Sequence, residues 1–519
     1  MARRFEYGGT RLDVSTAEDS SLATPSEDSP FRIALLGDFS GRANRGICEV
    51  GPALLRRQPV RVDRDDFDDV LAKLHPRLRL SLGAGEKPID LDFSSLEDFH
   101  PDRLFESVNL FARLREIRNR LANSATFAAA AAELGITSKA PASAKPATPG
   151  KRPVADYVVP LASGSLLDAT VEQTESRAEE APRRRVPDEL QEFVRRSTEA
   201  QTVPAPDARQ GEALEMIDRT VTSLMRALLH APDVQALEAA WRAVFLLVRR
   251  IETSSQLELY LVDISKAELA ADFAASEDLC STGLYRLIVQ PSVEILGGEP
   301  WTVLVGNYTF EDSREDAQLL ARLAKIAHTA GAPFLAAASP RVLGCDSLAA
   351  MSDSRGWRPL AGSDPAAWAA LRGLPEAVSI GLALPRFLLR LPYGKTTDAI
   401  ESFAFEEMPP ELPDDDYLWG NPAFACALLL AQAFSQEGWE MRPGVVSEID
   451  GLPLHAYKRH GQPELKPCAE VLLTQGAAER ILESGLMPLV SYKGRDQARL
   501  VRFQSIAAPL SALAGRWTA

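Results

Sequence analysis

Short apolar runs alternate with stretches of helical spacing through the middle of this chain, and that alternation limits its fold more than any other feature. LELYLVD (Leu257 to Asp263), TVLVGN (Thr302 to Asn307) and PFLAAAS (Pro333 to Ser339) are apolar runs of strand length. Between the last two lies a helical face made of Leu319, Leu320, Leu323 and Ile326. Such alternation favours parallel strands covered by helices. An earlier run, FRIALLG (Phe31 to Gly37), ends in a Gly-Asp turn and predicts another buried strand.

Helices are expected from Val70 to Leu74 and from Leu104 to Leu121, where Leu104, Phe105, Val108, Phe111, Leu114, Ile117 and Leu121 share one face. Met216, Ile217, Val221, Leu224, Met225 and Leu228 predict another, and Leu237, Trp241, Val244, Phe245 and Val248 the next. Near the end, Ala469 to Val490 reads as strand, helix and strand, and no repeat of fixed period is present.

Composition divides the chain. The first 29 residues are rich in Ser, Glu and Asp and read as a mobile arm with a short strand at Arg4 to Tyr7. From Ser138 to about Arg185 the residues are mostly Ala, Pro, Ser, Lys and Glu, which bury too little apolar surface to offset the entropy of ordering. An apolar island inside this stretch, Val154 to Leu167, reads as a short docking segment. The expected organisation is α/β, with an arm (1–29), a small α/β unit (30–136), a flexible Pro/Ala-rich linker (137–186), a larger unit (187–460) and a small C-terminal α/β segment (461–519).

With 519 residues, 45% of them hydrophobic, the chain can bury a large core. No apolar stretch approaches the roughly 18 residues that cross a bilayer, and the longest apolar helical candidate, Ala423 to Phe434, is expected in the core. MARRFEYGGTRLDVS lacks the apolar stretch of a secretory signal, so the expected location is cytoplasmic, without membrane insertion. The five cysteines, Cys48, Cys280, Cys345, Cys426 and Cys468, form no CxxC pair, which argues against a zinc module or disulfide framework. A formal net charge of -15 argues against nucleic acid as a partner, and local arginine runs such as Arg183 to Arg185 read as solvated.

No chemistry assembles around the familiar motifs. LLGDFSGR (Leu35 to Arg42) follows a strand as a phosphate loop would, but the Lys followed by Ser or Thr is missing. Gly394-Lys395-Thr396 is a half-match, with Leu389 at the first glycine's place and Pro392 removing an amide. Gly83 and Gly85 are followed by Pro88 where a dinucleotide loop needs glycine, and GxSxG does not occur. Of the six histidines (His75, His100, His230, His328, His455, His460) only the last two are close, and both read as surface or loop residues. Glu406-Glu407 and Asp414 to Asp416 flank Pro409 to Pro413 as a charged loop, and Asp38, Asp63, Asp65 and Asp66 lack calcium-loop spacing. No catalytic residue, metal ligand or cofactor site is therefore expected.

What remains is LALPRFLLRLPYG (Leu382 to Gly394) with YLWGNPAFA (Tyr417 to Ala425), which together read as a packed, polar-stapled junction. Arg386 and Arg390 stand at helical spacing among apolar residues and are expected to pair with carboxylates such as Glu406 and Glu407 rather than bind an anion. With Trp419 and Asn421 they are the candidate structural or interface positions.

Several segments carry a resemblance. PFRIALLGDFSGR (Pro30 to Arg42), RVDRDDFDDVLAKL (Arg61 to Leu74) and LEDFHPDRLFE (Leu96 to Glu106) resemble the small contractile-sheath subunit of the type VI secretion system. LEAAWRAV (Leu237 to Val244), DISKAEL (Asp263 to Leu269), VGNYTF (Val305 to Phe310), APFLAAASP (Ala332 to Pro340) and the junction segments resemble the large subunit. The chain is thus similar to a natural fusion of the two, covering most of residues 30–136 and 213 to about 444. The resemblance implies contractile-sheath-like mixed sheets with flanking helices, in two fused units joined by the linker. It also implies helical polymerisation around a secreted inner tube, with itself or other sheath subunits, a baseplate and a hexameric AAA+ unfoldase as partners. DELQEFVRRS, between Val186 and Arg209, weakly matches an unfoldase-binding helix. The large subunit continues past the equivalent of Ser505, whereas this chain stops at Gly515 to Ala519, which raises an alternative: a non-polymerising paralogue acting as adaptor or assembly regulator. An enzyme of unknown class is the remaining alternative, supported only by scattered carboxylates and the half-match at Gly394.

Overall fold

The computed structural model describes residues 3–7, 10–14, 25–81, 88–134 and 209–517, except 352, 410 and 460. The expected linker, the Val154 to Leu167 island, the DELQEFVRRS candidate, the arginine run at Arg183, Gly83, Gly85 and His460 lie outside the described residues. The chain divides into two compact units, residues 1–112 with 218–519, and residues 113–217.

A nine-stranded sheet forms the centre of the first unit. Its strands in chain order are β1 (Phe31–Gly37), β2 (Val60–Val62), β3 (Leu257–Asp263), β4 (Val303–Phe310), β5 (Phe334–Ala338), β6 (Ile380–Leu384), β7 (Glu448–Ile449), β8 (Met487–Ser491) and β9 (Ala498–Leu500). Across the sheet they run β7-β9-β8-β6-β5-β4-β1-β3-β2. The six strands from β8 to β3 are parallel, and antiparallel strands extend both sides, β2 on β3 and β9 on β8, with β7 antiparallel to β9. Stretches read in sequence as three units therefore lie in one sheet.

The placement of β1 decides the architecture. It pairs with β3 along its whole length, Phe31 opposite Leu257 through Gly37 opposite Asp263, and on its other side with β4 from Ile33–Val303 to Leu36–Gly306. Phe31, Ile33, Ala34 and Leu35 have no exposed surface, as expected of a strand buried on both faces. Gly306 of β4 lies so close to Phe334 and Tyr308 that a Cβ there would stand 2.7 Å from the Tyr308 ring and nearer still to Phe334. The pairing of β4 with β5 slips between Val305 and Thr309, a bulge that bends the strand end.

The principal helices are α1 (Phe67–Leu74), α2 (Pro232–Arg250), α3 (Lys266–Ala274), α4 (Arg314–Ala330) and α5 (Pro422–Glu437). Helix α2 buries Leu237, Trp241, Val244 and Val248 on one face. Helix α5 is buried from Pro422 to Ala431 and packs across β4, β5 and β6, the core position its apolar composition predicts. Helix α4 starts at Ser313, whose hydroxyl accepts from the Asp316 amide, and stops at Gly331, whose φ of 66° closes the last turn.

Two expectations change. The Leu104 to Leu121 face is two helices, Pro101–Ser107 and Asn109–Ala122, because Val108 leaves the helical region at φ -79°, ψ 125°. No strand forms at Ala469 to Leu473. Pro467 lacks an amide donor, and only Ala469 bridges to Phe387 before the Gln475–Glu483 helix begins. The junction segment after β6 is extended at Phe387–Leu388, which pairs antiparallel with Trp419–Gly420.

Small antiparallel hairpins complete this unit, at Arg77–Leu80 with Ile89–Asp92 and at Ala456–Arg459 with Gln462–Leu465. The strand expected at Arg4 to Tyr7 spans Arg3–Tyr7 and pairs with Thr10–Val14. In the second unit, the Gln210 side-chain amide donates to the carbonyls of Leu121 and Ala122, both at 2.7 Å, and Arg120 pairs with Glu133 beside the Phe127–Glu133 helix.

Candidate functional site

The junction segment is stitched on both sides. Leu388 N–H donates to the Cys468 carbonyl at 2.7 Å, Glu470 N–H to the Arg386 carbonyl at 2.9 Å, and Leu389 N–H to the Leu418 carbonyl at 3.1 Å. The two arginines diverge from this ladder. Arg386 grips Glu470 with two bonds, at 2.6 and 3.1 Å, and lies 3.7 Å from Asp415. Arg390 is buried, donating to Glu238 at 2.7 and 3.3 Å and to Glu407 at 2.7 and 3.0 Å, with its guanidinium 4.2 Å from the Tyr393 ring centroid. Glu406 pairs with neither arginine.

The charges balance in this buried cluster. Glu238, from the inner face of α2, also accepts from Arg242 at 2.6 Å, and Arg242 donates to the Tyr393 hydroxyl at 3.0 Å. Glu407 accepts the Tyr393 amide at 2.7 Å and faces His230 Nε2 at 3.5 Å. Burial alone would push both carboxyls up. The charge and hydrogen bonds of Arg390, together with Arg242 at Glu238 and with His230 and the Tyr393 amide at Glu407, outweigh it, so Glu238 lies below its usual value and Glu407 lies at about 2. Burial likewise works against the Arg390 charge, and the two glutamates hold its pKa well above the ordinary value. Two cations, Arg390 and Arg242, and two anions, Glu238 and Glu407, are thus paired with one another.

Trp419 and Asn421 continue the same seam. The Trp419 indole donates to the Asp414 carbonyl at 2.6 Å, and its ring lies 5.7 Å from Tyr417. Asn421 caps α5, accepting from the Ala423 amide at 2.9 Å while donating to the Tyr308 carbonyl at 3.0 Å on β4. The four residues thus join α2, α5, β4 and the 406–419 and 468–470 segments. His455, expected at the surface, is buried against Tyr417, whose hydroxyl lies 2.9 Å from His455 Nδ1, and burial lowers its pKa.

A second polar network, which motif spacing does not reveal, ties β1 and its following loop to β3 and α3. Asp263 accepts from Phe39 N–H, Ser40 N–H and the Ser40 hydroxyl at 2.9, 3.1 and 2.7 Å. Fully buried Glu268 receives Arg57 at 2.7 and 2.9 Å and Arg42 at 3.3 Å, and Asp272 accepts the amides of Gly51, Gly283 and Leu284. The Trp241 indole donates to the Phe39 carbonyl at 2.8 Å. One sequence signal was available: Ser265-x-x-Glu268 is a capping box.

Two of the motifs weighed as nucleotide sites, the LLGDFSGR loop and Gly394 to Thr396, are occupied by protein. Asp38 takes the amides of Arg42 and Ala43, and Asp263 those of Phe39 and Ser40, so the LLGDFSGR loop has spent these donors on its own chain. Beside Gly394, Glu406 accepts from Lys395 N–H at 3.2 Å and fills the space a phosphate would need. Asp63 and Asp66 close their own turn. Among the described residues no group of three or more His, Cys, Asp and Glu side chains is placed to hold a metal ion, and no helix is long and apolar enough to cross a membrane.

Comparison with known proteins places this architecture. Residues 211–507 match the VipB family, described as the EvpB-type tail sheath N-terminal domain, and residues 10–134 match the type VI secretion system VipA family. The chain is 35% identical over 300 residues to the type VI secretion system sheath protein TssC1 of Pseudomonas aeruginosa, covering 56% of this chain and 60% of that protein. It is 29% identical over 103 residues to sheath protein TssB1 of the same organism, covering 19% of this chain and 58% of that one. The chain therefore spans less than two thirds of either relative. Both relatives are sheath proteins by name.

Proposed function

We propose, from the premise that this chain belongs to the type VI secretion sheath families and joins a VipA-type and a VipB-type segment in one polypeptide, that it is a structural subunit of a contractile sheath. In this reading copies polymerise helically around an inner tube, and contraction of the polymer drives the tube and its effectors outward. The observation that carries the reading is β1: a strand from the VipA-type segment lies between β3 and β4 of the VipB-type segment, along the full length of β3. Two segments interleaved this way move as one body under load, because the sheet's main-chain hydrogen bonds would all have to break before they part. Fusion through the 137–186 linker keeps the partners at high effective concentration during folding.

The partition into an arm, a VipA-type unit at 30–136, a linker, a VipB-type unit at 187–460 and a C-terminal segment is part of this proposal. So are the inner tube, the baseplate and an AAA+ unfoldase as partners, and the assignment of Arg386, Arg390, Trp419 and Asn421 as the junction that keeps the subunit rigid. A heterologous contact repeated with a non-closing rotation generates the open helical polymer required.

The test is ultracentrifugation of the purified full chain across rising concentration. Assembly predicts a pelletable fraction above a threshold concentration. Strictly monomeric behaviour at high concentration, with no incorporation into polymer formed by separate sheath subunits, overturns the reading. A monomer that binds sheath subunits without forming polymer points instead to an adaptor.

A further inference from the structure

A basic recess stands out on a chain that carries a net charge of -15. It has a volume of about 810 Å³, opens beside β2, β3 and α1, and is lined by seven Arg and Lys side chains against Asp66 and Asp263. Most of the cations are neutralised locally. Arg42 and Arg57 bind Glu49 and Glu268, Arg61 approaches Glu258, and Arg77 pairs with Asp92. Three remain. Among the described residues Arg56 and Lys73 have no carboxylate partner, and Arg45 donates only to Ser40 and to the Gly41 carbonyl. The two carboxylates lining the recess are hydrogen-bonded by neutral groups, Asp263 by the β1 loop and Asp66 by the Asp63 amide, and neither forms an ion pair with these three cations.

The chemistry of the recess selects its occupant. A compact phosphate is held by convergent backbone amides, and the nearby amides of Phe39, Ser40, Arg42 and Ala43 are already bonded to Asp263 and Asp38. What is left is a rim of cations without carboxylate partners, which suits separate carboxylates carried on an exposed loop. Such a loop exists on the chain itself. Glu411 is exposed and unpaired among the described residues, and Asp415 is 95% exposed, its nearest cation Arg386 being engaged bidentately by Glu470. This loop turns at Leu412, whose φ is 49°, and closes in a 3-10 helix at Asp414–Asp416, where Asp414 pairs with Lys466 and Asp416 faces His230, leaving Glu411 and Asp415 as its outward carboxylates.

We infer that the recess receives the Glu411–Asp416 loop of a second copy of this chain. Copies with a charge of -15 repel one another, and a contact that seats the acidic loop of one on the uncompensated cations of the next offsets that repulsion where they meet. Recess and loop are different surfaces, so the contact is heterologous and propagates. This inference rests on the assembly reading above.

Charge reversal tests it in the full chain. R56E/K73E should raise the concentration at which polymer pellets by about tenfold or more, because like charges then face each other across the contact, and E411K/D415K should do the same. Combining the four substitutions should return assembly close to wild type. The Arg56, Lys73 and Glu411 side chains make no described ion pair or hydrogen bond and Asp415 makes only the 3.7 Å approach to Arg386, and unchanged thermal melting of each variant checks that folding is intact. If wild type assembles and R56E/K73E assembles equally well, or if the combination fails to rescue, this inference falls while the assembly reading stands. If wild type never assembles, both fall. Stoichiometric binding of inorganic pyrophosphate by calorimetry, lost in R56E/K73E with assembly unaffected, would assign the recess to a small anion instead.

Discussion

Truncating Arg390 to alanine should damage this fold more than any other single change of a charged residue in the junction. The side chain is 9% exposed and its partners Glu238 and Glu407 are 0% and 2% exposed, so no water replaces the lost cation. Arg242 still serves Glu238, but Glu407 keeps only the Tyr393 amide and the His230 ring. Removing one partner of a buried ion pair costs about 3–5 kcal/mol. The ionisation of Glu407 gives a concordant figure, since lowering its pKa from 4.5 to about 2 corresponds to about 3 kcal/mol at neutral pH. The sign follows from the depressed pKa: the contribution is complete above the unfolded value near 4.5 and is lost as pH falls toward 2. Urea unfolding followed by tryptophan fluorescence should therefore show wild type losing about 3 kcal/mol from this group between pH 5 and 2. R390A should start lower by about 3–5 kcal/mol at pH 7 and show a flatter acid limb. A loss below about 1 kcal/mol at pH 7, with an acid limb like wild type's, would refute the claim that this cluster pins the junction.

Other expectations are simpler. Asn421→Ala removes the α5 cap and the bond to the Tyr308 carbonyl; thermal melting should report a cost of about 1–2 kcal/mol, and an unchanged midpoint would contradict the capping role. Gly306→Ala drives a methyl group into Phe334 and Tyr308 and should cost about 1–3 kcal/mol by overpacking, measured as a lower urea midpoint. Glu268→Gln leaves Arg57 and Arg42 without their buried charge partner; hydrogen exchange should then quicken in Phe31 to Gly37 more than in Phe334 to Ala338, and equal protection would show that the network does not anchor β1.

Local elements were legible where the physics is local. Phe31–Gly37 and Leu257–Asp263 match their runs end to end, because strands largely buried on both faces read as near-continuous apolar runs, and the charges inside them, Arg32 and Glu258, pair with each other at 3.4 Å. Helix α5 was legible for the same reason. The order of the strands was not: that β1 lies between β3 and β4 depends on pairing across more than 200 residues, and no run names its neighbour. The junction's location was readable from Arg386, Arg390, Trp419 and Asn421, but only part of its pairing. Glu407 was among the expected partners of Arg390, whereas Glu238, 152 residues away, was not. A clue existed in α2, since Glu238 interrupts the apolar face of Val234, Leu237, Trp241 and Val244, and a charge on a buried face requires a partner. The divergence of the two arginines was hidden because their spacing suggests a helix while the segment is extended.

Electron microscopy of the pelleted full chain tests the central claim most directly. The account predicts hollow helical tubes whose repeating subunit is a single chain, with the Phe31 to Gly37 strand inside the sheet of the same subunit's Leu257 and Val303 strands. Amorphous aggregate, closed oligomers or single particles under all conditions would contradict it.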